Sequence, residues 1–86
     1  MHMKKYHLTI QQGTQRHGFV VGHADEQPNT YAVLFSATEW ERFQQRLERS
    51  THAQLDYAGH TVRIEGKPAK IDEGIMIVLR RIAAGN

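Results

Sequence analysis

Six histidines are the first residues here that could do chemistry. Zinc sites recruit histidine at local spacings, as i, i+4 pairs on a helix or as His-x-His on a strand. His7, His17, His23, His52 and His60 fall on separate segments with none of those spacings. They read as surface histidines, and neither a metal nor a cofactor is expected. His23-Ala24-Asp25-Glu26 sets an imidazole beside two carboxylates, the raw material of general acid–base chemistry. It runs into the Pro28-Asn29 turn, however, where charges are normally solvated. The chain has no Gly-x-Ser-x-Gly and no dinucleotide fingerprint, and Gly13-x-x-x-x-Gly18 lacks the Lys-Ser/Thr of a phosphate loop. A catalytic role is therefore not expected.

Two other groups of residues suggest binding. Arg42, Arg46 and Arg49 stand at i, i+4 and i+7 on a helical pattern, with Glu41 and Glu48 on the other flank. Such a stripe reads phosphates, or it is the solvated face of an amphipathic helix. Lys67, Lys70, Arg80 and Arg81 would extend it if the fold brought them near. The second group is Met76, Ile77 and Arg81. If their segment is a helix, Ile77 points away from the core stripe, with Met76 beside it. An outward Ile and Met on a small domain suggest a partner or self-association surface.

Composition narrows the classes. A chain of 86 residues is one domain, 1–86, with a small core. It has no cysteine, which excludes disulfide scaffolds, thiolate metal sites and cysteine nucleophiles. The formal charge of +2 marks neither a strongly basic nucleic-acid module nor an acidic mimic of one. The longest strongly apolar run, Ile75–Leu79, is five residues, far below a membrane span of about 20. No targeting segment is visible, so the expected location is cytoplasmic and no membrane partner is expected.

The elements that must position these residues follow from periodicity. Lys4–Gln11 alternates as a half-buried strand, and a polar loop spans Gln12–Gly18. Phe19–Ala24 reads as a more central strand, and Thr30–Ser36 as a third. Ser36-Ala37-Thr38-Glu39 is a capping box and Thr38 to Glu41 a second register for it, so Ser36 or Thr38 is the cap; Trp40, Phe43 and Leu47 follow on one narrow helical stripe. Residues 53–58 and 60–66 form a hairpin about Gly59, broken by Gly66-Lys67-Pro68. Ile71–Ala84 fits two periods. As a helix it has Asp72 as N-cap, Arg80 and Arg81 near its C-terminus and Gly85 beyond its end, although Gly74 in the first turn opposes it. As a strand it lines up Ile75, Ile77 and Leu79. The end signals favour the helix. The expected fold class is α+β: a small antiparallel sheet of about five strands, in the order β-β-β-α-β-β-α, with two helices on one face. Its open face would carry Lys5, His7, Thr9, Gln11, Gln54, Asp56, Thr61, Arg63 and Glu65, which offers no aromatic platform for stacked bases.

Val33-Leu34-Phe35-Ser36-Ala37-Thr38-Glu39-Trp40-Glu41-Arg42-Phe43 resembles the strand-to-helix junction of a short actinobacterial domain of unknown function. The resemblance covers about 11 of the 86 residues, lacks that family's Trp-Arg-Lys-Ser-Ser type opening, and implies no activity. The expectation is a non-enzymatic protein-binding module. It would be a small regulator, inhibitor or accessory protein, phage- or plasmid-borne, with a protein partner or a second copy held through Met76, Ile77 and Arg81. The alternative is a nucleic-acid-binding protein using Arg42, Arg46 and Arg49.

Overall fold

The computed structural model describes residues 5–82. Three antiparallel strands open the chain: β1 (Lys5–Gln12), β2 (Gln15–Gln27) and β3 (Thr30–Phe35). The turn between β1 and β2 is only Gly13-Thr14, and Gly13 has a φ of 59°, which glycine adopts without strain. The polar loop expected over Gln12–Gly18 is thus mostly strand. The helix α1 (Ala37–Arg49) follows, and of the two caps that the sequence offers it uses the first: Ser36 Oγ accepts the Glu39 N–H at 3.1 Å. β4 (Gln54–Tyr57), β5 (His60–Ile71) and β6 (Gly74–Arg81) complete the described chain.

The sheet closes on itself. The order is β1-β2-β3-β6-β5-β4, with β4 returning to β1 through Thr9↔Asp56, Ile10↔Leu55 and Gln11↔Gln54. The expected α+β fold is therefore corrected to a closed six-stranded antiparallel barrel with one described helix. The segment read as a second helix is the strand β6. It pairs with β3 over six residues from Phe35↔Ile75 to Thr30↔Arg80, and with β5 on its other side. Partners on both sides supply the backbone hydrogen bonding that a helix would have supplied internally. Asp72, read as a helix cap, belongs to the β5–β6 turn, and Gly85 lies outside the described residues. Gly66-Lys67-Pro68 does not end β5 but bulges it between Glu65 and Ala69. Gly74 has a φ of 147°, and a Cβ there would stand 2.0 Å from the Phe35 carbonyl oxygen. β6 thus crosses close over the start of α1 only because that position is glycine.

Period-two alternation fills the barrel. Leu8, Ile10, Phe19, Val21, Tyr31, Val33, Phe35, Tyr57, Val62, Ile77 and Leu79 are buried, joined by Phe43 from α1. The helix does not lie on one face of a sheet. It closes one end of the barrel, where Phe43 meets Phe19 edge-on at 5.4 Å and Phe35 at 5.1 Å, and Trp40 meets Phe35 at 5.2 Å.

Ile77 is 1% exposed and sits among these core residues. Truncating it leaves a cavity with Val33 and Leu79 on its walls. Ile77→Ala lowers unfolding free energy by about 2–5 kcal/mol in chemical denaturation. Ile77→Asp loses the cooperative transition altogether, because it places a charge in an apolar interior.

Candidate functional site

The residues expected to form a partner surface are not together on the surface. Strand neighbours point to opposite faces, so Ile77 lies inside while Met76 lies half-buried outside, across from Leu34 and Ala69. Arg81 is engaged internally: its Nε donates to the Tyr31 hydroxyl at 2.8 Å, and its guanidinium stands 5.2 Å from the centre of the Tyr31 ring. The helical wheel that grouped these residues does not apply to a strand. Arg80 is also held, as a fork on Glu65 with contacts of 2.5 and 3.0 Å. Lys67 and Lys70 stand on β5, away from α1's arginine face, and do not line its groove.

Arg42, Arg46 and Arg49 do come together with something. They form one wall of a groove of about 380 Å³ whose other wall is Arg16, His17, Gly18 and Phe19 of β2, with Gln45 between the arginines. Four of the chain's eleven Lys and Arg side chains therefore line one feature. Among the described residues only one of the four has a carboxylate partner, Arg42 with Glu39. Arg42 also lies over the Phe19 ring, 5.4 Å from its centre. Along the helix Arg42 and Arg49 are ~10 Å apart at 1.5 Å per residue, so the positive wall is short.

Glu39 ties the groove to the barrel. Instead of reaching back to its own helix end as a capping box does, its carboxylate accepts the Val20 N–H of β2 at 2.9 Å. That bond, then the Arg42 guanidinium, holds its carboxyl below the usual carboxylate range. On β2, His17 lines the groove, and its Nε2 is buried without a hydrogen-bond partner among the described residues. A buried nitrogen left unpaired is the kind of group that a ligand or a bound water satisfies. The periodicity showed the helix arginines but hid Arg16, His17 and Gly18, because the stretch was read as loop. The usable signal was Gly13, which alone allows a two-residue turn, followed by the alternation His17, Phe19, Val21, His23.

The far end of the barrel gathers the rest of the polar chemistry. His23 Nδ1 and the Tyr57 hydroxyl are 2.8 Å apart, and His23 Nε2 is 3.5 Å from Glu26. The sequence grouped His23 with Asp25 and Glu26, and the fold adds Tyr57. Carboxylate, imidazole and hydroxyl in line have the order of a proton relay. Tyr57 is 1% exposed, however, with Tyr6 and Tyr31 edge-on to it at 5.7 and 5.1 Å. Burial pushes its phenol pKa up, so the hydroxyl stays protonated and can donate to His23. The array satisfies polar tips inside the barrel mouth. Among the described residues no group of three or more His, Asp or Glu side chains is placed to hold a metal ion. No described helix is long and apolar enough to cross a membrane.

Because the folded pKa of Glu39 is depressed, its contribution to stability is present above the ordinary carboxylate value of 4.5 and is lost as pH falls through the lowered one. Glu39→Gln is accordingly less stable than wild type at neutral pH by about 1 kcal/mol. The gap between the two unfolding free energies, measured by denaturant titration from pH 7 to pH 3, closes below about pH 4.5. No family model matches the chain, and no curated protein and no solved structure matches it either.

Proposed function

We propose that this chain is a non-enzymatic binding module, and that its ligand is an acidic segment of a protein partner held in the groove between β2 and α1. The observation that supports this is the convergence of Arg16 with Arg42, Arg46 and Arg49, of which only Arg42 is neutralised among the described residues. Opposed charges across an interface set specificity and speed encounter. A regulator, inhibitor or accessory role fits such a module. The partner-binding reading therefore moves from Met76, Ile77 and Arg81 to the groove.

Nucleic acid is the second reading, favoured by the arginine spacing along α1. Three features support the protein ligand over it. The positive wall is short, and the same helix carries Glu41 and Glu48, which a long polyanion would meet. The overall charge is only +2. The aromatic ring in the groove wall, Phe19, is 3% exposed and offers no stacking surface.

Fluorescence anisotropy with a labelled acidic peptide, beside single-stranded and duplex oligonucleotides, separates the readings. The expected result is peptide binding at low salt that weakens as salt rises. Arg46→Ala with Arg49→Ala weakens it by about tenfold, ~1.4 kcal/mol. An oligonucleotide that binds more tightly than a peptide of equal charge, with a steep salt slope, establishes the second reading instead. If neither probe binds at low salt, both readings are wrong.

A further inference from the structure

Resting on the acidic-ligand reading, we propose that the partner segment binds as an added β-strand on the edge of β2 at Arg16–Gly18. The barrel is closed by its order of strands, but its strands are unequal. The β2–β3 ladder ends at Gly22↔Leu34, whereas the β1–β2 ladder continues to Gln12↔Gln15. Among the described residues, β2 from Gln15 to Val21 therefore has a strand on one side only. The Val20 N–H goes to Glu39, not to β1, which fixes the direction of that edge. In an antiparallel strand N–H and C=O of one residue share an edge and alternate along the chain. Gly18 and Arg16 consequently present their N–H and C=O outward beside Val20. Both are exposed and both line the arginine groove.

A second single-sided edge in the same molecule shows what this one lacks. Past Val62, β5 also has a partner on one side only among the described residues, since β4 ends its pairing there. That edge carries a bulge between Glu65 and Ala69, with Gly66, Lys67 and Pro68 inside it and Lys70 just beyond. Bulges, lysines and proline are the devices that stop a free edge from pairing. Arg16–Gly18 has no bulge and no proline. Its alternating donors and acceptors match a peptide backbone, which supplies both, and not a phosphodiester, which supplies acceptors alone. Alternate side chains of an added strand stand ~7 Å apart, close to the ~6 Å rise from Arg42 to Arg46. Acidic residues at every second position would therefore meet successive arginines. Backbone bonds supply affinity in this mode and side chains supply selection.

The test uses the full chain, labelled with nitrogen-15, and a synthetic heptapeptide alternating Glu and Thr. A copy of the peptide N-methylated at every second residue keeps the charge but cannot form the ladder. Gly18→Pro removes the outward N–H without touching the β1 ladder, and Gly18 has no positive φ to forbid it. Gly18→Ala is the control, since its Cβ meets only the movable His7 ring at 3.2 Å. The expected result is slowed exchange of the Gly18 and Arg16 amides on binding. N-methylation and Gly18→Pro each weaken affinity by about tenfold or more, and Gly18→Ala by less than about twofold. If Gly18→Pro does not fold, the N-methylated peptide decides alone. Equal binding of both peptides with no amide protection, while Arg46→Ala still weakens it, overturns strand addition and leaves the acidic-ligand reading standing. No peptide binding at low salt overturns both. An oligodeoxythymidylate that displaces the heptapeptide and binds more tightly makes the ligand a nucleic acid and also overturns the proposal.

Discussion

The structure depends on one mismatch of length at the seam between β2 and β3. β2 runs for 13 residues and β3 for six. Where β3 stops at Phe35 the barrel wall is missing, and the chain must turn there without exposing Phe19 and Phe35. Ser36 starts a helix at that point, and the helix delivers Phe43 into the gap. Burying an aromatic side chain in such a place contributes about 2–3 kcal/mol. The carboxylate of Glu39 then terminates one backbone donor that the missing strand would have taken. Groove, arginine wall and open edge all follow from a helix standing where a strand is absent.

The two ends of the barrel are closed by different chemistry. At the helix end the contacts are apolar rings, Phe19, Phe35, Trp40 and Phe43, which need no partners beyond each other. At the other end the rings carry polar tips, and the two buried tyrosines are both hydrogen-bonded: Tyr57 with His23, and Tyr31 with Arg81. The buried hydroxyls of this end are paired within the fold. At the groove end His17 Nε2 remains unpaired and the Gly18 edge has no strand beside it among the described residues. The unpaired His17 nitrogen and the single-sided edge thus fall on the same end of the barrel, the end that the proposed ligand would occupy.

Much of the meander was legible because alternation is a local signal. β1, a strand over Phe19–Ala24, β3, and a helix capped near Ser36 all follow from near neighbours in sequence, although which face of Phe19–Ala24 turns inward does not. β6 was not legible for the same reason. Ile75, Val78, Leu79 and Ile82 satisfy a helical stripe, while Ile75, Ile77 and Leu79 satisfy a strand, and local end signals favoured the wrong one. What decides is β3 on one side and β5 on the other, and neither is local. The candidate site was half legible. The three helix arginines share one element and show as a stripe. Arg16 joins them only through barrel closure, and a free edge is a property of pairing that no single segment contains.

An exposed edge without bulge or proline is a liability, since a second copy can pair with it as readily as a ligand. Here the same arginines change that balance. Two copies meeting edge to edge at β2 would bring Arg16, Arg46 and Arg49 of one against those of the other, and such like-charge contact is repulsive. An acidic strand meets the same side chains as attraction. On the proposed reading, positive charge beside this edge disfavours pairing with a second copy of the chain and favours acidic strands. β5 achieves protection by geometry, with a bulge and Pro68, and so blocks every strand alike. On that reading the two edges differ in means: β5 is blocked by its own backbone geometry, and β2 selects by charge.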